Sequence, residues 1–213
     1  EYGIKVLPIK IVLNGKEYLE TGITKENFYD PLAKFRNPAE VIPPSIEEIS
    51  LAFEDEIKKG NDVIAILMST HLNKVHENAV KAKANLMTIY PKANIVVIDS
   101  KTTCMQEGLA VLEAAKLAQQ GTAFKEIIPA IRDMIKRTRL FLVPKSFKYF
   151  EIAGLLKRYQ AAMSNLLQIF PVLYIKDGKI IMQSIIQSKN KAITKTMELF
   201  KNDLKDFKID QVV

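Results

Sequence analysis

The hydrophobic pattern changes period several times along the chain, and the sharpest change falls at residues 64–75, IAILMSTHLNKV. An unbroken apolar run stops abruptly at Ser69, Thr70, His71, Leu72 and Asn73, and from His76 to Ile89 the apolar positions return at helical spacing. A strand buried on both faces reads as a continuous run of this kind, because neither side needs to be polar. The polar residues then stand at a strand's carboxyl end, where helix N-termini and free backbone N–H groups of an open α/β sheet converge and where ligands bind. Hydroxyl groups there are candidate ligand donors.

Other segments repeat the rhythm. Residues 94–99 give a second apolar run, IVVID, ending in Asp99, Ser100, Lys101, Thr102 and Thr103, and helices are expected at about 105–120, stopped by Gly121, and at 123–137, started by Thr122. Strand and helix alternating in this way form βαβ units that wind into a parallel sheet. Upstream, residues 4–13 predict a strand that turns at Asn14-Gly15 into a partner at 16–19. Thr24 can cap a short helix through Phe35, and residues 37–45 predict a loop rich in proline. Ser45 and Glu48 have capping-box spacing before a helix whose Ile46, Ile49, Phe53 and Ile57 share one face, with Gly60 as its stop.

From Leu140 the texture becomes mixed. LFLV is a short strand closed by Pro144, residues 146–151 and 155–167 predict helices around Gly154, and strands at 171–175 and 179–186 flank the hairpin signal Asp177-Gly178. A stripe of Ile193, Met197, Phe200 and Leu204 predicts a last helix with Ser188 as its cap. The expected architecture is therefore α/β, a mostly parallel sheet flanked by helices over residues 1–138, followed at 139–213 by part of a second, smaller mixed α+β domain.

Composition narrows the function classes. The 213 residues are 48% hydrophobic and 26% charged, an ordinary globular balance with no apolar run long enough for a membrane span. No signal peptide is read at the N-terminus, and a cytoplasmic protein without stable membrane insertion is expected. The charge of +7 comes from 31 basic and 24 acidic residues, yet the lysines are scattered among acids, only five basic residues are arginine, and no basic run alternates with aromatics. That is a solvated lysine-rich surface and no nucleic-acid partner is expected. One cysteine, Cys104, and two histidines, His71 and His76, support neither a disulfide nor a zinc site. With no glycine-rich phosphate loop, no nucleophile beside a base and no paired acids in a motif, the chain does not read as an enzyme, and no cofactor is expected.

The ordered series of segments resembles the DegV family, lipid-carrier proteins that include the fatty-acid-binding subunit of bacterial fatty-acid kinase. VIPPS at 41–45 is similar to that family's Thr-Ser-x-Pro-Ser loop at Pro44 and Ser45, and STHLNKV at 69–75 to its Ser-Ser-x-Leu-Ser-Gly-Thr at Ser69, Thr70 and Leu72. Asp99, Ser100 and Gly108 match its Asp-Ser and following glycine-containing helix. FKYFEIAGLL resembles its Leu-x-x-Leu-x-x-Gly-Gly-Arg-Ile segment at Gly154, and LQIFPVL its Leu-x-Ile-Lys-Pro-Ile at Ile169 and Pro171. Departures from the pattern are mostly polar losses: Val41 and Ile42 for two hydroxyl residues, Asn73-Lys74-Val75 for Ser-Gly-Thr, Leu155 for arginine, Phe170 for lysine. The family's first strand with its Asp-Ser pair, and its C-terminal segment with a ligand-binding histidine, have no counterpart in these 213 residues.

The resemblance implies a long-chain fatty acid in an apolar tunnel, its carboxylate held at the strand ends between domains and presented to a partner, the catalytic subunit of a fatty-acid kinase. Ser69, Thr70 and Asn73 are the expected neutral donors, with Ser45 and Ser100 beside them. Each has a structural alternative: the first three are also helix-capping residue types, Ser45 fits an N-cap, and Asp99 with Ser100 fits a strand-to-helix turn. His71 fits a solvent-facing loop residue, and Cys104 fits packing. Met68, Met87, Met105 and Met163 serve equally as lipid-cavity lining or core filler. The polar losses also fit a DegV-like scaffold or interaction module that has lost its head-group site.

Overall fold

The computed structural model describes residues 2–32, 39–144, 150 and 169–203. They form two compact units, residues 1–137 and 138–213.

In the first unit the parallel pair β4 (Val63–Leu67) and β5 (Ile95–Asp99) lies at the centre, in register from Val63 opposite Ile95 to Leu67 opposite Asp99. Side chains alternate across a strand, so one face of the pair carries Val63, Ala65, Leu67, Ile95 and Val97 and the other Ile64, Ile66, Val96 and Ile98. The first face packs on α2 (Ile46–Lys58) through Ile49 and Phe53, and on α3 (Val75–Ile89) through Val75, Ala79, Ala82 and Leu86. The second packs on α4 (Cys104–Gln119) through Ala110 and on α5 (Phe124–Arg137) through Ile127 and Ile131. Both strand faces are covered, which is why neither strand alternates apolar with polar residues. The α/β class expected from the sequence holds.

The N-terminal strands build a separate antiparallel sheet of order β2-β1-β3, so among the described residues parallel pairing is confined to β4 and β5. Asn14 and Gly15 both adopt left-handed backbone (φ 52° and 76°), the conformation a tight hairpin needs, and join β1 (Lys10–Leu13) to β2 (Lys16–Leu19). The strand expected over residues 4–13 is therefore shorter than its apolar pattern: Gly3 is left-handed and Pro8 has no N–H to give to a ladder. Glu40–Ile42, expected as loop, is β3, paired with β1 and ended by Pro43-Pro44. Thr24 caps α1 (Lys25–Leu32), its hydroxyl accepting from Asn27 N–H at 3.2 Å, and the expected extension to Phe35 lies outside the described residues. Ser45 makes the capping box of α2: its hydroxyl accepts from Glu48 N–H at 3.1 Å and its own N–H donates to the Glu48 carboxylate at 2.8 Å. Thr122 closes α4 through its N–H on Leu117 O, and Ala123, not Thr122, gives the carbonyl that starts α5.

The second unit holds an antiparallel sheet of order β6-β7-β8: β6 (Phe141–Leu142), β7 (Phe170–Lys176) and β8 (Lys179–Ile186). Asp177 and Gly178, both left-handed, make the β7–β8 turn, and Val172 and Leu173 are fully buried at a register irregularity. α6 (Lys189–Asp203) packs on β7 and β8. Its inward side is Ala192, with Phe200 edge-on to Phe141, whereas Ile193 and Met197 of the expected stripe are half exposed. The helices expected at 146–151 and 155–167, Gly154 and Leu155 with them, and Met163 and Leu204 lie outside the described residues. No described helix is long and apolar enough to cross a membrane.

Candidate functional site at the ends of the parallel strands

The β4–β5 ladder does not stop with the strands. Ser100 N–H donates to Leu67 O and Ser69 N–H to Thr102 O, both at 2.9 Å, so the loops after the two strands are stitched together into one polar cluster. Ser69, Ser100 and Thr102 are fully buried and Gln106 nearly so; they are the buried polar residues among those described. Burial of polar groups requires partners. Ser69 Oγ accepts from His71 N–H at 3.2 Å. Ser100 Oγ donates to Thr102 O and accepts from Thr102 N–H, each at 3.3 Å, and the Thr102 hydroxyl donates to the Gln106 side-chain oxygen. The first turn of α4 thereby folds back onto the β5 loop. Lys101 in this loop and Cys104 at the start of α4 are left-handed non-glycine residues (φ 52° and 55°), conformations that cost about 1–2 kcal/mol each.

Thr70 and Asn73 stand half-buried at the opening of this cluster. The Thr70 hydroxyl donates to Asp99 Oδ2 at 3.1 Å, while Asp99 Oδ1 accepts from Lys101 N–H at 2.8 Å. Asn73 Oδ1 accepts from Val75 N–H at 2.9 Å, turning the chain into α3, and its amide N–H donates to the weak acceptor Met68 Sδ at 3.3 Å. One amide hydrogen of Asn73 remains uncommitted among the described residues. Asn78, one turn into α3, donates to Pro44 O at 2.9 Å and ties the β3–α2 loop to the same helix. Four of the five expected donors, Ser69, Thr70, Asn73 and Ser100, thus share one site. Ser45 is engaged in its capping box.

Sequence reasoning placed Thr102 in the polar cluster without making it a site residue, and missed Gln106 and Glu107. Glu107, half-buried in the first turn of α4, has its carboxyl pushed up to about 7, first by burial and then by the charge of Asp99. A glutamate in a helix's first turn ordinarily reads as a complement to the helix dipole, and only the return of α4 over β5 places it beside Asp99. His71 is exposed, His76 half-buried and Cys104 exposed. No group of three or more His, Cys, Asp or Glu residues that could hold a metal ion occurs among the described residues.

The family profile described as "Uncharacterised protein, DegV family" matches residues 1–213. The chain belongs to the DegV family. A DegV domain-containing protein of Clostridium perfringens (strain 13 / Type A) is 32% identical over 213 residues, covering 100% of this chain and 75% of that one. Among solved structures, a fatty acid binding DegV family protein from Streptococcus agalactiae superposes with a TM-score of 0.83 at 26% identity, over 95% of this chain and 71% of that chain. DegV from Bacillus subtilis, a fatty acid binding protein, gives 0.79 at 25% identity, over 96% and 72%.

Proposed function

We propose that this chain is a non-catalytic lipid-binding protein that holds a long-chain fatty acid in an apolar tunnel, anchors its carboxylate at the β4–β5 strand ends and presents it to a partner kinase. The observation that carries the reading is the coincidence of two features. The DegV relatives from S. agalactiae and B. subtilis bind fatty acids, and this chain gathers Ser69, Thr70, Asn73 and Ser100 at one strand-end cluster. The kinase partner rests on the resemblance to the binding subunit of fatty-acid kinase.

Magnitudes divide the labour. An acyl chain of about fifteen methylenes contributes on the order of 12 kcal/mol gross at about 0.8 kcal/mol each, from which immobilising the ligand removes several. One hydrogen bond to a carboxylate adds about 1.5–3 kcal/mol. The tail therefore sets most of the affinity and the polar cluster sets where the head group rests. Uptake of a fluorescent fatty acid, followed by its exchange rate in Thr70→Ala and Asn73→Ala, tests the assignment. Faster exchange in both variants supports it, and unchanged binding and exchange in both removes the head-group site from these residues.

A second reading, a scaffold that has lost head-group binding, is favoured by a specific observation: the Thr70 hydroxyl proton is already given to Asp99 and Asn73 Oδ1 to the start of α3. On that reading Thr70→Ala and Asn73→Ala leave fatty-acid uptake and exchange unchanged.

A further inference from the structure

Resting on the fatty-acid reading above, we propose that the strand-end cluster takes its carboxylate ligand together with a proton, and that Asp99 and Glu107 impose this coupling, so that affinity falls as pH rises. The hydrogen-bond polarity of the cluster carries the argument. Thr70 has one hydroxyl proton, and it lies on Asp99 Oδ2 at 3.1 Å. Towards a ligand Thr70 therefore offers lone pairs, which accept from a protonated carboxyl and repel an ionised one. Asp99 is fixed by a second bond, from Lys101 N–H at 2.8 Å. The Glu107 carboxyl makes no hydrogen bond or ion pair among the described residues, and the residue is half-buried. A ligand carboxylate arriving here becomes the third carboxyl group in a partly desolvated cluster, and like charges so placed cannot all stay ionised.

The described charged residues around them are almost all exposed. β4 carries no titratable residue; on α4 itself Cys104 and Lys116 are exposed and Glu113 is half-buried six residues on from Glu107, and the charged residues of α5, which packs on α4, are all exposed: Lys125, Glu126, Arg132, Asp133, Lys136 and Arg137. On the loops and the first turn of α3, His71, Lys74, Lys101 and Glu77 are exposed and His76 is half-buried. Asp99 is the charged group that acts on Glu107, which titrates at about 7 in the free protein. A nearby ligand anion raises that value further. Above about pH 7 the free protein is therefore ionised at Glu107 while the complex holds the proton, and affinity falls by up to about tenfold per pH unit.

The test compares a saturated long-chain fatty acid with the matching fatty alcohol, each displacing a fluorescent probe from the full chain at about pH 6.5 and about pH 8.5. The acid is expected to bind about tenfold or more weakly at the higher pH while the alcohol is unaffected. Glu107→Gln should flatten the acid's profile, and Asp99→Asn should move it to lower pH by removing the second of the two causes that raise Glu107. Calorimetric titration of the unaltered protein in buffers of different ionisation enthalpy should register proton uptake with the acid alone. Equal affinity for the acid at both pH values, or a slope retained in Glu107→Gln, overturns the coupling. Failure of acid and alcohol to bind at either pH instead refutes the fatty-acid reading, and the coupling with it.

Discussion

Asn73 holds two roles that substitution can pull apart. Its Oδ1 accepts from Val75 N–H at 2.9 Å at the entry to α3, and its amide nitrogen, which donates to Met68 Sδ at 3.3 Å, is the donor proposed for the ligand head group. Asn73→Asp keeps an acceptor oxygen in the same place and sets a negative charge beside a helix N-terminus, which is neutral or stabilising by about 0.3–1 kcal/mol. The same change removes the amide donor and points a charge at the ligand carboxylate. Losing one charge-assisted bond of about 1.5–3 kcal/mol lowers fatty-acid affinity by roughly 10- to 150-fold. Asn73→Ala loses both roles: about 1 kcal/mol of stability at the helix entry, and the ligand bond. Urea unfolding and fluorescent fatty-acid binding on the two variants read the roles separately. The expected result is Asp with stability kept and affinity lost, and Ala with both reduced. An Asp variant that binds like the unaltered protein refutes the donor role; one destabilised as much as Ala refutes the turn role.

Removing the capping box with Ser45→Ala should cost about 1–2 kcal/mol in urea unfolding without altering lipid exchange, and a slower or faster exchange would show that Ser45 touches the ligand after all. Ile131, fully buried between α5 and the β4–β5 pair, should lose about 2–5 kcal/mol on truncation to alanine; a loss under about 1 kcal/mol would mean that this face is loosely packed. Asp55 is held down at about 2, first by Lys5 and then by Lys59. Its folded value lies below its unfolded one, so its contribution is complete above about pH 4 and fades as pH falls towards 2. Because the pair is exposed, this acid-side slope should be small and weakened by salt, and Lys5→Ala should reduce it. An identical slope in Lys5→Ala would locate the effect elsewhere.

Where local chemistry decides the backbone, the sequence was readable. Asn14-Gly15 and Asp177-Gly178 make left-handed turns because few other residue pairs adopt that conformation cheaply, and Ser45 with Glu48 caps α2 from within four positions. The apolar runs at β4 and β5 are legible because burial on both faces leaves no alternation to obscure them. β3 was not legible: three residues before two prolines pair only because β1 lies alongside, a contact no local pattern announces. The apolar run before Lys10 misled in the opposite direction, since Gly3 and Pro8 withhold the conformation and the donor that a ladder needs. Met197 and Ile193 follow a helical period yet face outward, because Ala192 lets α6 approach the sheet on the adjoining side.

The candidate site was half readable for the same reason. Ser69, Thr70, Asn73 and Ser100 follow from the rule that polar residues at the ends of parallel strands face a common edge. Their hydrogen-bond directions do not follow from it, and these matter most: Thr70 spends its proton on Asp99, and the Thr102 hydroxyl donates to Gln106 in the first turn of α4. Glu107 joins the site through the path of α4, and its raised titration belongs to the assembled cluster rather than to its place in the sequence.

Mass spectrometry of the protein purified without added lipid, run natively and then after organic extraction, tests the central claim most directly. The account predicts a stoichiometric long-chain fatty acid that remains with the native protein and leaves only on denaturation. A protein that is empty, and that stays empty when fatty acid is offered to it, would contradict the carrier reading and leave the strand-end cluster as a structural feature of a scaffold.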